Sequence, residues 1–107
     1  MQYFKISYFY RDHANYRQHS FAYFSNTMNR SVEEIEAVLK KHLLDETWFL
    51  HYQWDLPDLH FDKTDWENDH PYHELEKIEL IGYRPEEIDG SIEELLEKVR
   101  RSSYSGC

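Results

Sequence analysis

Glycine, proline and cysteine are scarce in this sequence, with three, three and one among 107 residues. Three glycines (Gly82, Gly90, Gly106) leave no material for a glycine-rich phosphate loop, a dinucleotide fingerprint or a nucleophile elbow, which argues against nucleotide-cofactor enzymes. The lone Cys107 is the final residue, so no intramolecular disulfide and no cysteine-based zinc site can form, and a reducing compartment follows. Its position does not match a prenylation box, which needs cysteine four residues from the end. No stretch approaches the ~20 apolar residues of a membrane span, and Met1–Ile6 reads as a strand and not as a targeting segment. The expectation is a cytoplasmic protein with no membrane contact. Internal repeats and low-complexity tracts are also missing.

What is abundant is aromatic and acidic. Hydrophobic residues make up 40% and aromatics 17% of the chain, enough apolar material to offset the entropy of folding. At this length one core is expected, giving a single α+β domain over residues 1–101 and a flexible tail over 102–107. The formal net charge is -9, which opposes direct binding to phosphate backbones and favours a basic partner. The charge is concentrated: residues 45–76 carry ten carboxylates against the single cation Lys63, whereas residues 1–44 are mildly basic. The same segment holds all three tryptophans, Trp48, Trp54 and Trp66, with Tyr52 and Tyr72. Rings that supply contact area and carboxylates that steer encounter are the ingredients of a protein-binding surface. The plainer reading is that many of the rings are core and the carboxylates their solvated edge.

Periodicity sets the expected fold. Phe4, Ile6, Tyr8 and Tyr10 alternate as one face of a strand, and a second run at Phe21–Phe24 predicts an antiparallel hairpin. Ser31-Val32-Glu33-Glu34 is a capping box opening a helix with the stripe Val32, Ile35, Val38, Leu39, Leu43. Trp48, Leu50, Tyr52 and Trp54 alternate as a third strand ending before Pro57. Residues 58–71 read as loop, with Leu59-His60-Phe61 as a possible edge strand. His73–Gly82 reads as a fourth strand whose mixed alternation signals a bulge. A second capping box, Ser91-Ile92-Glu93-Glu94, opens a helix with the stripe Ile92, Leu95, Leu96, Val99. The order ββαββα predicts a two-layer sandwich, a largely antiparallel sheet with two helices on one face.

Two constellations carry potential chemistry. Asp62, Asp65, Asp69, His70, His73 and Glu74 lie within thirteen positions, and Asp69, His70, His73 and Glu74 are the candidate ligands for a divalent metal. Pro71 interrupts any helical His-x-x-His arrangement, and an extended chain sends neighbouring side chains to opposite faces. The alternative is an ordinary acidic loop with His73 packed at a strand start. At the hairpin tip, Arg11, Asp12, His13, Tyr16 and Arg17 could cleave a phosphodiester by general acid–base chemistry. The alternative there is an exposed turn shaped by Asp12 and Asn15.

The strings Tyr8-Phe9-Tyr10-Arg11-Asp12-His13-Ala14-Asn15-Tyr16-Arg17 and Asn68-Asp69-His70-Pro71-Tyr72-His73-Glu74 resemble the two conserved blocks of a family of small acidic proteins associated with bacterial genomes and mobile elements. The resemblance spans most of the chain and implies that the hairpin tip and the Asp69–Glu74 loop matter. It implies no activity, and Asn68 stands where the family pattern has an acidic residue.

The function expected from these features is a non-enzymatic interaction module. Trp54, Asp55, Asp58, Asp62, Asp65, Trp66, Asp69 and Tyr72 would bind and inhibit a basic protein, as an immunity protein, an antitoxin or a nucleic-acid mimic does. No cofactor is required, and the chain is a monomer or weak homodimer. The enzyme alternative is a small metal-dependent hydrolase on the Asp62–Glu74 loop, or a ribonuclease on the hairpin tip.

Overall fold

The computed structural model describes residues 2–12, 14–45, 47–59 and 72–101. Over these residues the chain runs β1 (Tyr3–Arg11), β2 (Arg17–Ser25), α1 (Val32–Lys41), β3 (Trp48–Phe49), a single 3-10 turn (His51–Gln53), β4 (His73–Ile81) and α2 (Ile92–Arg101). It is an α+β fold in which the four strands form one antiparallel sheet, ordered β2-β1-β4-β3. Among the described residues no helix is long and apolar enough to cross a membrane.

β1 is central because it has the most apolar surface to bury. Phe4, Ile6, Tyr8 and Tyr10 are fully enclosed, and they join Ala22 and Phe24 of β2, Ile78 of β4, Ile35 and Leu39 of α1, and Ile92, Leu95, Leu96 and Val99 of α2 in one core. Both capping boxes form. Ser31 accepts from Glu34 N–H while Glu34 accepts from Ser31 N–H, and Ser91 and Glu94 do the same. Each satisfies backbone donors that a helix start otherwise leaves unpaired. The two helix starts are tied together by Arg30, whose Nε and Nη2 donate to the two oxygens of Glu93 at 2.5 and 2.9 Å.

The β1–β2 turn is organised by one side chain. Asp12 Oδ1 accepts from Ala14 N–H and Tyr16 N–H, and Asn15 takes a positive φ of 69° that asparagine tolerates better than most residues.

The bulge sits in β4. Ser7 pairs with Lys77 but Tyr8 pairs with Leu75, so Glu76 is the extra residue. An extra residue reverses the alternation beyond it. Leu80 and Ile78 pair with core-face residues of β1 before the bulge, and Leu75 does so after it. The bulge therefore turns His73 into the core and sends Glu74 to the other side.

The third strand is much shorter than its alternation predicts. After Phe49 the chain leaves the sheet in a 3-10 turn, Asp55 adopts a left-handed φ of 56°, and Trp54 folds back to stack on Phe49 with ring centroids 4.3 Å apart and planes 9° from parallel. Burying an indole against the core outweighs prolonging a two-residue ladder. Of the suggested Leu59–Phe61 strand only Leu59 lies within the described residues, where it is buried outside any strand. The tail 102–107 also lies outside them.

From β4 the chain runs back to the outer edge of β2. Asp89 N–H donates to the Tyr23 carbonyl, Tyr23 N–H donates to the Asp89 carboxylate, and Ser25 N–H donates to the Gly90 carbonyl. Gly90 has φ 145°, a conformation that favours glycine, and delivers the chain directly to the α2 cap.

Candidate interaction surface

The sheet face opposite the core carries a band of cations and rings at its hairpin end. Side chains directly across an antiparallel pair share a face, so the register places Phe9, His19 and Glu74 together, as it does Ser7, Phe21 and Lys77. The Phe9 ring has the Arg11 and Arg17 guanidinium carbons 5.6 and 5.4 Å from its centroid and the His19 ring at 5.2 Å. His19 Nδ1 lies 2.8 Å from Glu76 Oε1, and Arg11 Nε lies 3.6 Å from Glu74 Oε2. Lower on the same face Lys5 lies over Phe21, 4.5 Å from the ring centroid, and Phe21 meets Tyr23 edge-on at 5.3 Å. A cleft of about 500 Å³ opens there, bounded by Phe21, Tyr23, Tyr83, Arg84, Pro85, Glu86 and Glu87. Burial raises the Tyr23 phenol above its ordinary value, with the facing Tyr83 as a further cause.

The tip residues that could serve phosphodiester cleavage are thus largely engaged. Asp12 holds the turn, Arg11 faces Glu74, and Arg17 lies over Phe9. Tyr16 is well exposed, and His13 lies outside the described residues.

The described part of the acidic segment meets the same end of the sheet. His73, fully buried, lies among Tyr8, Tyr10, Phe49 and His51, with ring centroids 5.1 to 6.1 Å away. Its Nε2 accepts from Leu59 N–H at 2.9 Å, which fixes the tautomer with the proton on Nδ1. Asp58 stands between two imidazoles, Oδ1 at 3.6 Å from His73 Nε2 and Oδ2 at 3.9 Å from His51 Nε2. His51 Nδ1 lies 2.9 Å from the Leu56 carbonyl, which can only accept, so Nδ1 donates. Tyr8 donates its hydroxyl to the Pro57 carbonyl at 2.9 Å, and burial pushes that phenol up to about 12. Together these bonds fasten residues 56–59 onto the sheet.

The candidate metal ligands divide accordingly. The His73 lone pair is taken by a backbone N–H, and Glu74 faces the other side of the sheet towards Arg11, so the two do not converge. Asp69 and His70 lie outside the described residues, and among those residues no group of three or more histidine, cysteine, aspartate or glutamate side chains could hold a metal ion.

Of the candidate partner-binding residues, Trp54 belongs to the core: it is 1% exposed and cannot contact a partner. Asp55 is exposed and pairs with Lys98 at 2.9 Å, Asp58 is exposed, and Tyr72 is half-buried. Asp62, Asp65, Trp66 and Asp69 lie outside the described residues. Among the described residues of this region the exposed aromatic is Tyr52, at 64%. Sequence reading named Tyr52 among the rings of this segment but placed it in a strand and outside the partner-binding set, and it missed Glu76 as the partner of His19, since both depend on where the 3-10 turn and the bulge fall. Comparisons with family models, curated proteins and solved structures give no match to this chain.

Proposed function

We propose that the chain is a non-enzymatic protein-interaction module that binds and inhibits a basic protein, in the manner of an immunity protein, an antitoxin or a nucleic-acid mimic. Its contact surface runs from Tyr52, Asp55 and Asp58 through the acidic segment bearing Asp62, Asp65, Trp66 and Asp69 to Tyr72. The bond from Leu59 N–H to His73 Nε2 carries the reading. It holds together the two points between which residues 60–71 run, a stretch of four carboxylates and one lysine. We take these carboxylates, with the exposed Asp58, to sum into a directed field, which the same charges spread over the molecule would not. The reading further takes the fold as a two-layer ββαββα sandwich interrupted by the 3-10 turn, and places the protein in the cytoplasm.

A charge-only variant tests this. Asp58→Asn, Asp62→Asn and Asp65→Asn preserve shape while removing three charges. Immobilised wild-type protein is expected to retain one basic protein from extracts of its source cells at about 50 mM salt and to release it at about 500 mM, where the Debye length is several-fold shorter. The triple variant should retain at least about tenfold less. Equal retention by both, or retention unaffected by salt, would overturn the proposal.

A further inference from the structure

The outer edge of β2 is half used. Ser25 N–H, Tyr23 N–H and the Tyr23 carbonyl point away from β1 and are taken by Gly90 and Asp89. In an antiparallel strand the direction of these groups alternates with every residue, and the β1–β2 register is regular from Tyr3↔Ser25 to Arg11↔Arg17. The odd-numbered residues Arg17, His19 and Phe21 therefore also point their backbone groups outward. Among the described residues no backbone partner meets them. The side chains of Arg17, His19 and Phe21 are all exposed, with Phe21 at 51%.

An open edge of this kind accepts another strand, and its own pattern says which one fits. We infer that the β2 edge pairs antiparallel with the β2 edge of a second copy of this chain, about a two-fold axis at His19. Only residues with outward backbone groups can exchange both hydrogen bonds, so the register sets His19 against His19 of the second copy and Arg17 against Phe21 of the second copy. This makes about six new backbone hydrogen bonds. It also sets each Arg17 beside an exposed ring whose cleft is lined by Tyr83, Arg84, Glu86 and Glu87, a cation against an aromatic wall in which the carboxylates outnumber the guanidinium. The 89–91 segment occupies the edge from Tyr23 onward and stops the pairing there, which fixes the register. His19 is already held against Glu76 and Phe9 of its own chain and leans away from the new seam.

The contact is small, in the class below about 1,200 Å² in total, so a Kd on the order of 10–100 µM is expected. The inference does not rest on the proposed partner surface, because it uses only β2 and the segment that follows β4.

Sedimentation equilibrium at about 150 mM salt, where the mutual repulsion of two acidic chains is screened, tests it. Between about 5 and 500 µM the mean mass of the wild type should climb from 13.2 kDa towards twice that value. Arg17→Glu sets a carboxylate against the acidic cleft, and Phe21→Lys sets a lysine against Arg17. Each variant alone should stay monomeric, and an equimolar mixture should regain dimer, because one of its two Arg17–Phe21 contacts becomes a glutamate–lysine pair and the other is native. Recovery on mixing also shows that both variants fold. A wild type that stays monomeric, a single variant that dimerises like the wild type, or a mixture that stays monomeric would each overturn the inference.

Discussion

Tyr8 joins the core to the segment that the proposal assigns to partner binding. Its ring fills the middle of the sheet and its hydroxyl donates to Pro57 O, so one residue both packs and tethers. Tyr8→Phe leaves the ring and orphans a carbonyl, a cost of about 1 kcal/mol. The pH dependence follows from the raised phenol. A folded-state value of about 12 against an ordinary 10.0 means that the folded protein holds this proton more tightly than the unfolded chain. The stability so gained is fully present below pH 10 and is lost as pH rises from 10 towards 12. In urea titrations Tyr8→Phe should therefore be less stable than wild type at neutral pH, with the difference shrinking above pH 10. A constant difference up to pH 12 would show that burial in the core does not raise the phenol. Trp54 shows the limit of residue-level reading. An aromatic flanked by Gln53 and Asp55 has the sequence context of a surface contact, and only its stacking on Phe49 makes it core.

At the scale of elements, the helices and the hairpin were legible because their signals are local: two capping boxes, two apolar stripes and a turn aspartate each lie within a few residues of what they determine. The bulge was legible as mixed alternation, but its consequence, His73 inward with Glu74 outward, needed the pairing with β1. The 3-10 turn was not legible, because alternating aromatics fit a strand as well as a turn whose rings fold back. The Arg30–Glu93 clamp was not legible either, since its partners are 63 residues apart. Its hydrogen bonds from Arg30 hold the Glu93 carboxyl below its ordinary value of 4.5. A depressed carboxyl contributes stability that is present above the unfolded value and is lost as pH falls through the folded one. Glu93→Gln should accordingly lower the thermal midpoint at pH 7 and flatten its decline below about pH 4.5. An acid limb as steep as that of the wild type would show that the clamp contributes nothing.

Across the whole molecule, composition already separated a mildly basic hairpin from an acidic centre, and the fold brings the two to the same end of the sheet. Glu74, Glu76 and Asp55 meet Arg11, His19 and Lys98 there. Which carboxylates are matched within the chain could not be read from sequence, because the cations come from β1, β2 and α2. The charge that the proposal assigns to a partner is that of the acidic segment from Asp58 onward. The central claim is that this charge serves binding and not metal chemistry. Native mass spectrometry of the protein recovered at low salt from its source cells, with metal content read on the same sample, tests it most directly. The account predicts a stoichiometric complex with a basic protein and no bound metal; a partner-free chain holding a tightly bound divalent ion would contradict it.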